Sequence, residues 1–163
     1  RLLRRLGDRG IAWAHQRWAW NRTLVSTFRA RDAKIFRPYP DEVPWDLLEA
    51  AGGAENVLRE VLQLNLLRVA KFGDQVVGAY GIRPLSPTRF ELVALTVASA
   101  FRRKGLGRWL LGHAIGLAES RGAREIFVRG QLHSSPVQAG SSFLAQAGFS
   151  ADGSDWLLTL TPE

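Results

Sequence analysis

Apolar residues recur along this chain at two spacings, and the changes of spacing mark the elements. From Ile11 to Leu24 they fall at Ile11, Ala14 and Trp18 and again at Trp13, Trp20 and Leu24. That is a wide helical stripe with Arg17 and Arg22 outside it. Leu2, Leu3 and Leu6 form a smaller cluster ahead of it, with Gly7 and Gly10 bracketing a break, so residues 1–30 read as helical. Residues 33–39 read as a strand closed by Pro38 and Pro40. Asp41-Glu42 opens a helix through Leu47, Leu48 and Ala51 that stops at Gly52-Gly53. The next helix, 54–64, places Val57, Val61 and Leu64 on one face. Three strands follow, 66–72, 75–83 and 89–97, the first two joined by a Gly73-Asp74 hairpin turn.

The spacing then returns to helical over 105–120, with Leu106, Leu110, Leu111, Ala114, Ile115 and Ala118 in register and Gly122 as the stop. A strand at 125–129, a helix at 137–147 stopped by Gly148, and a strand at 156–161 after an Asp152-Gly153 turn complete the chain. The order β-α-α-β-β-β-α-β-α-β predicts an α/β (α+β) domain over residues 33–163. It is one mixed, mostly antiparallel sheet with helices on both faces, and residues 1–32 form a helical extension.

Charge refines the division. The net charge is +7, yet residues 1–40 hold ten Lys/Arg against Asp8 and Asp32, so the remainder is nearly neutral. The basic extension could neutralise nucleic-acid phosphates, and its tryptophans could stack on bases. Helically spaced stripes of this kind are more often packing surfaces. The extension is therefore expected to dock on its own domain or on a second copy, giving a homodimer, with nucleic acid unlikely as a partner.

The chain has no cysteine, which excludes disulfides and thiolate chemistry. With only His15, His113 and His133 besides, no metal site is expected. No apolar stretch reaches the ~20 residues of a membrane helix, and Arg1-Leu2-Leu3-Arg4-Arg5 does not resemble a signal peptide. The chain also lacks methionine and reads as cut from a longer protein. Only three of its 22 basic residues are lysine, a bias of GC-rich genomes, so a bacterial, cytoplasmic protein is expected.

Candidate chemistry concentrates in one segment, Leu95-Thr96-Val97-Ala98-Ser99-Ala100-Phe101-Arg102-Arg103-Lys104-Gly105-Leu106-Gly107-Arg108-Trp109. A strand runs into a basic, glycine-containing turn that opens a long helix. Such a turn lets backbone N–H groups close around an anion at the positive end of the helix dipole. Arg102, Arg103, Lys104 and Arg108 add charge, so a phosphate or pyrophosphate is the natural occupant. The P-loop pattern fails because Arg108-Trp109 follows Gly107, and the dinucleotide pattern fails at Leu110.

The pattern that fits is Arg/Gln-x-x-Gly-x-Gly/Ala, filled by Arg102-Arg103-Lys104-Gly105-Leu106-Gly107. Together with the element order and the late phrase Phe143-Leu144-Ala145-Gln146-Ala147-Gly148-Phe149, it resembles the GNAT superfamily of acyl-CoA-dependent N-acyltransferases over residues 33–161. The resemblance implies a sheet with a splayed centre. It implies acetyl-CoA as co-substrate and an amine acceptor, with the backbone of Leu95, Thr96 and Val97 along the pantetheine arm. The amides of Arg103, Lys104, Gly105, Leu106, Gly107 and Arg108, with Arg102 beside them, would then cradle the pyrophosphate.

Aminolysis of a thioester needs help with proton removal and a donor for the developing oxyanion. Glu91, fourteen residues before Gly105, stands where many family members place a basic glutamate. Simple alternation sets it on the face of Val93, Leu95 and Val97, where apolar neighbours would raise its pKa. Its alternative is a strand-end carboxylate paired with Arg89 or Arg83. The resemblance assigns the oxyanion donor to the N–H of Leu95. It places a thiolate-protonating tyrosine where this chain has Leu144, and an asparagine where it has Val137. Ser141, Ser142, His133 and Tyr80 are the other candidate acids. His15 and His113 read as structural or solvent-facing, Trp109 as packing its helix on the sheet, and Trp45 as core or acceptor cleft. Residues 84–88 and 131–136 are expected to shape the acceptor site. A non-catalytic acyl-CoA-binding regulator and a nucleic-acid- or ribosome-associated protein are the competing functions.

Overall fold

Seven strands form one sheet: β1 (Lys34–Phe36), β2 (Leu67–Phe72), β3 (Gln75–Pro84), β4 (Arg89–Val97), β5 (Glu125–Val128), β6 (Ser150–Asp152) and β7 (Asp155–Thr159), in the spatial order β1-β2-β3-β4-β5-β7-β6. The helices are α1 (Trp45–Ala50), α2 (Glu55–Gln63), α3 (Leu106–Ser120) and α4 (Ser141–Gln146). This computed structural model describes residue 25, residues 27–130 and residues 141–161, with backbone alone at 141 and 142. The tryptophan stripe of residues 11–24, His15, His133, loop 131–136 and Val137 lie outside the described residues. Among the described residues no helix is long and apolar enough to cross a membrane.

β3 is the strand on which both helical layers rest. Its alternation sends Gly78 and Tyr80 towards α3 and Gly81 towards α2. A Cβ at Gly78 would stand 2.8 Å from Leu110 Cδ1 and 2.9 Å from the Thr96 carbonyl oxygen. At Gly81 it would stand 3.1 Å from Val61 Cγ1 and 3.2 Å from Val93 Cγ2. Glycine at these two sites lets a helix settle onto each face at closer range than any side chain permits. Leu106, Leu110, Leu111, Ala114 and Ala118 of α3 are all buried against the sheet, as are Leu58 and Val61 of α2. The core reaches back to Phe28, which packs edge-on against Phe72 and Phe101 at centroid distances of 5.1 and 4.9 Å.

Several elements depart from the sequence-based expectations. Asp41-Glu42 lies in a 3-10 turn, Pro40–Glu42, and α1 begins only at Trp45. Pro44 holds Val43 extended, which separates the two turns. Leu64 caps α2 and is exposed, Leu58 taking its place on the buried face. β6 has no apolar alternation, all three residues being exposed, and exists by pairing with β7 across the Gly153 turn. Trp109 is 47% exposed, because the stripe of Leu106, Leu110 and Ala114 takes the sheet-facing side of α3 and leaves Trp109 off it.

One part-buried polar contact ties α3 to β3. Tyr80, wholly buried, holds its hydroxyl 2.5 Å from Nδ1 of His113. Burial pushes the phenol well above its ordinary range. Burial, and secondarily the positive charge of Arg68, holds the imidazole below its usual value. In its Nε2–H tautomer a neutral His113 accepts a hydrogen bond from the phenol, and protonation removes that acceptor. Because the folded-state pKa is the lower one, the contribution is complete above ~6.5, the ordinary histidine value, and is lost as pH falls through the folded pKa. Thermal melts from pH 7 to pH 5 should therefore show a steeper loss for the natural chain than for His113→Gln, which keeps an acceptor without a titration. Parallel profiles would show that the contact is not linked to folding.

Candidate active site

The centre of the sheet is a fork. β4 and β5 run parallel and pair only at Arg89–Glu125, Phe90–Ile126 and Glu91–Phe127. Beyond Glu91 the strands part, and residues 92–97 have β3 on one side and, among the described residues, no strand on the other. The hydrogen bond from Ala98 N to Val77 O, 2.8 Å, sets the phase of the β3–β4 ladder. By antiparallel alternation the backbone groups of Thr96 face Ala79, while those of Leu95 and Val97 point into the fork. An extended amide-bearing chain can pair with that edge as an added strand does. Val97 O already accepts a hydrogen bond from Arg102 Nε at 3.0 Å, and its carbonyl keeps a second lone pair.

At the open end of the fork a 3-10 turn, Ser99–Phe101, buries Phe101 and brings the chain into α3. Arg103 (φ 60°) and Gly105 (φ 85°) both adopt left-handed backbone. Arg103 does so at the cost a Cβ imposes, Gly105 freely. Such alternations of handedness gather successive N–H groups into an anion-binding hollow. Among the described residues no side chain caps the helix. Its first internal hydrogen bond runs from Trp109 N to Gly105 O, 3.0 Å, so the N–H groups of Leu106, Gly107 and Arg108 have no intrahelical acceptor. Leu106 is buried as an anchor, and Arg103, Gly105 and Arg108 are exposed. Arg108 also reaches α4 through a 2.7 Å hydrogen bond to Gln146 Oε1.

Glu91 stands at the last paired position before the fork, and its carboxylate is buried. The surroundings differ from those expected. Between the pairs Gly81–Ala94 and Ile82–Leu92 the register shifts, leaving Val93 as a bulge. The extra residue reverses the alternation, so Glu91 shares a face with Ala94 and Thr96 and not with Leu95 and Val97. That face looks towards α1 and α2. There Oε2 accepts from Arg83 Nε (3.1 Å) and Nη2 (2.9 Å), and Oε1 lies 2.7 Å from Arg129 Nε in an ion pair. Arg83, one of the two expected partners, is present. Arg89 instead stacks on Phe127 at 5.1 Å and sits 4.0 Å from Glu125.

Arg129 was not singled out in the sequence, where it is one of 19 arginines. Its signal lies in the parallel register. Phe127 pairs with Glu91, so the residue two further on shares that face. A Cβ at Gly130 would collide with the Ser154 carbonyl oxygen, and Gly130 N donates to Asp155 Oδ1 at 2.9 Å. The chain leaving β5 is thereby clamped to the β6–β7 turn, which holds Arg129 between two cavities. One, about 120 Å³, is lined by Gly52, Val57, Arg83, Glu91, Val93 and Arg129. The other, about 540 Å³, is lined by Phe127, Arg129, Gly130, Ser154 and Asp155.

The remaining candidates separate clearly. Leu144 is wholly buried in the core. Tyr80 faces α3, across the sheet from Glu91, and spends its hydroxyl on His113. Trp45 packs partly buried on the core, with the Arg59 guanidinium 4.8 Å above its ring. Loop 84–88 folds against the α3–β5 connection, Thr88 O accepting from Arg124 N at 2.6 Å, and lines neither cavity.

Comparison with known proteins agrees with this architecture. The sequence profile described as the acetyltransferase (GNAT) family matches residues 15–139. The uncharacterized N-acetyltransferase YvbK of Bacillus subtilis is 30% identical over 82 residues, which are 50% of this chain and 53% of that protein. The chain thus aligns with about half the length of this curated relative. A GNAT family acetyltransferase from Elizabethkingia anophelis with acetyl-CoA bound shares the fold at a TM-score of 0.60 and 18% identity, over 79% of this chain and 99% of that one. Ard1 from Thermoplasma volcanium does so at 0.64 and 14% identity, over 80% and 99%. With the fork, the uncapped helix and the Arg-x-x-Gly-x-Gly turn in their places, the chain belongs to the acetyltransferase (GNAT) family.

Proposed function

We propose that this protein is an N-acetyltransferase that moves an acetyl group from acetyl-CoA to a primary amine by direct attack within a ternary complex. The observation that carries the reading is the continuous polar edge from the unpaired side of β4 to the uncapped start of α3. Leu95 and Val97 offer an extended ligand backbone partners. Eight residues further on, Arg103, Gly105 and the first α3 amides offer a dianionic group donors and a helix dipole. A pantetheine chain ending in a pyrophosphate matches both halves, and Arg102, Lys104 and Arg108 add positive charge there. Thr96 contributes through position alone, its backbone facing β3. The acetyl-CoA-bound structure of the Elizabethkingia protein supports the assignment.

The bound thioester supplies an activated acyl carbon with a good leaving group. The protein's part is to align the amine, accept a proton and support negative charge on the acyl oxygen. The amine nitrogen bonds to the acyl carbon, the carbon–sulfur bond breaks, and one proton leaves the nitrogen. We assign that proton to Glu91, at the root of the fork, and the support of the oxygen to the N–H of Leu95. The sulfur leaves as the CoA thiolate, and Leu144, an apolar core residue, has no proton to give it.

Replacing Gly105 and Gly107 together by valine should abolish acetyl-CoA binding in calorimetry, since left-handed backbone at Gly105 excludes a β-branched residue. Unchanged affinity would remove the reading. Glu91→Gln should keep that affinity while lowering turnover by ~10²–10⁴-fold at neutral pH. The deficit should shrink at high pH, where the amine is already neutral. A small loss that does not vary with pH would leave Glu91 as a purely structural ion-pair partner.

A further inference from the structure

We infer that the acceptor amine carries its own carboxylate, and that Arg129 both recognises it and thereby exposes Oε1 of Glu91. This rests on the transferase reading above. The starting observation is unequal burial within the Arg83–Glu91–Arg129 cluster. The carboxylate side chain is 5% exposed, that of Arg83 21% and that of Arg129 56%. Arg83 grips Oε2 through two donors and is fixed. Arg129 meets Oε1 only as an ion pair at Nε, 2.7 Å away, and its two Nη groups make no hydrogen bond among the described residues. A guanidinium presents five donors in a planar fork, so Arg129 keeps a free pair on the side away from Glu91.

That free pair lies where an acceptor has room. Arg129 lines both cavities beside the root of the fork. The small cavity holds two guanidiniums against one carboxylate and so retains positive charge. Asp155, on the wall of the large one, has Oδ1 taken up by Gly130 N–H. Paired Nη donors on a half-exposed arginine match a carboxylate in bidentate geometry.

The same geometry limits how far the amine stands from that carboxylate. The guanidinium binding it is itself 2.7 Å from Oε1, so an amine one or two carbons from the carboxylate falls beside Glu91. The acceptor class is therefore an α- or β-amino carboxylate. In the free protein Oε1 is masked by Arg129. A bound substrate carboxylate shares the charge of Arg129, loosens its hold on Oε1 and leaves Oε1 to take the amine proton. A simple amine lacks the group that makes this exchange.

The test uses matched pairs of amino acids and the amines left by their decarboxylation, assayed by thiol release from acetyl-CoA with the full chain. The carboxylate-bearing member should show at least tenfold higher kcat/KM. Arg129→Gln should erase that preference, mainly through a raised KM for the amino acid, while acetyl-CoA affinity in calorimetry is kept. Arg129→Lys should restore part of the preference, and it carries the test if the glutamine variant fails to bind acetyl-CoA. Equal turnover of both sets by the natural protein, or a preference that survives in both variants, would overturn the inference and leave the transferase reading standing. Acetyl-CoA binding without thiol release from any member of either set would overturn both.

Discussion

The candidate site depends on one event in the sheet, the parting of β4 from β5 after Glu91. A paired β4 would spend the backbone groups of Leu95 and Val97 on its neighbour and leave nothing for a ligand to bind. An edge with unmet hydrogen bonds is ordinarily a liability. Here it is confined to residues 92–97 and guarded by an arginine, Arg102, that already reaches Val97 O. The three pairs below the fork, with β7 supporting β5 through four more, hold the divergence open.

Packing on β3 makes the fork rigid. Gly78 and Gly81 let α3 and α2 press onto opposite faces of the strand that flanks the open edge. Since α3 is fixed to β3 by Leu106 and Leu110, its uncapped N-terminus stands at a set distance from the unpaired part of β4. The bulge at Val93 then decides what faces what. It turns Glu91 towards α1 and α2 while Leu95 and Val97 keep their backbone groups in the fork. The unpaired edge and the carboxylate thus meet at the root of one fork from different directions, as the proposed reaction between two substrates requires.

Much of this was legible from local pattern. The helical stripe through Leu106, Leu110 and Ala114, the Gly73-Asp74 hairpin and the Arg102–Gly107 turn each depend on neighbouring residues, and each appears in the structure where the pattern set it. What escaped is set between strands. The bulge is a mismatch of register between β3 and β4, invisible in the alternation of either strand alone, and it is why the expected apolar surroundings of Glu91 gave way to two guanidiniums. Arg129 acquires meaning only through the parallel pairing of Phe127 with Glu91. β6 carries no pattern of its own and exists because β7 offers it an edge. Even in α3, Trp109 was misplaced by its size, since a large aromatic outside the stripe stays outside whatever its hydrophobicity.

The central claim is that the edge of β4 inside the fork receives the extended arm of acetyl-CoA. Residue-resolved amide hydrogen exchange, with and without acetyl-CoA, tests it most directly. The account predicts that the amides of Leu95 and Val97 exchange readily in the free protein and become protected with the ligand. The amide of Thr96, committed to Ala79 of β3, should be protected in both states. Protection of Leu95 and Val97 equal to that of Thr96 before any ligand is added, or no change on saturation with acetyl-CoA, would contradict it.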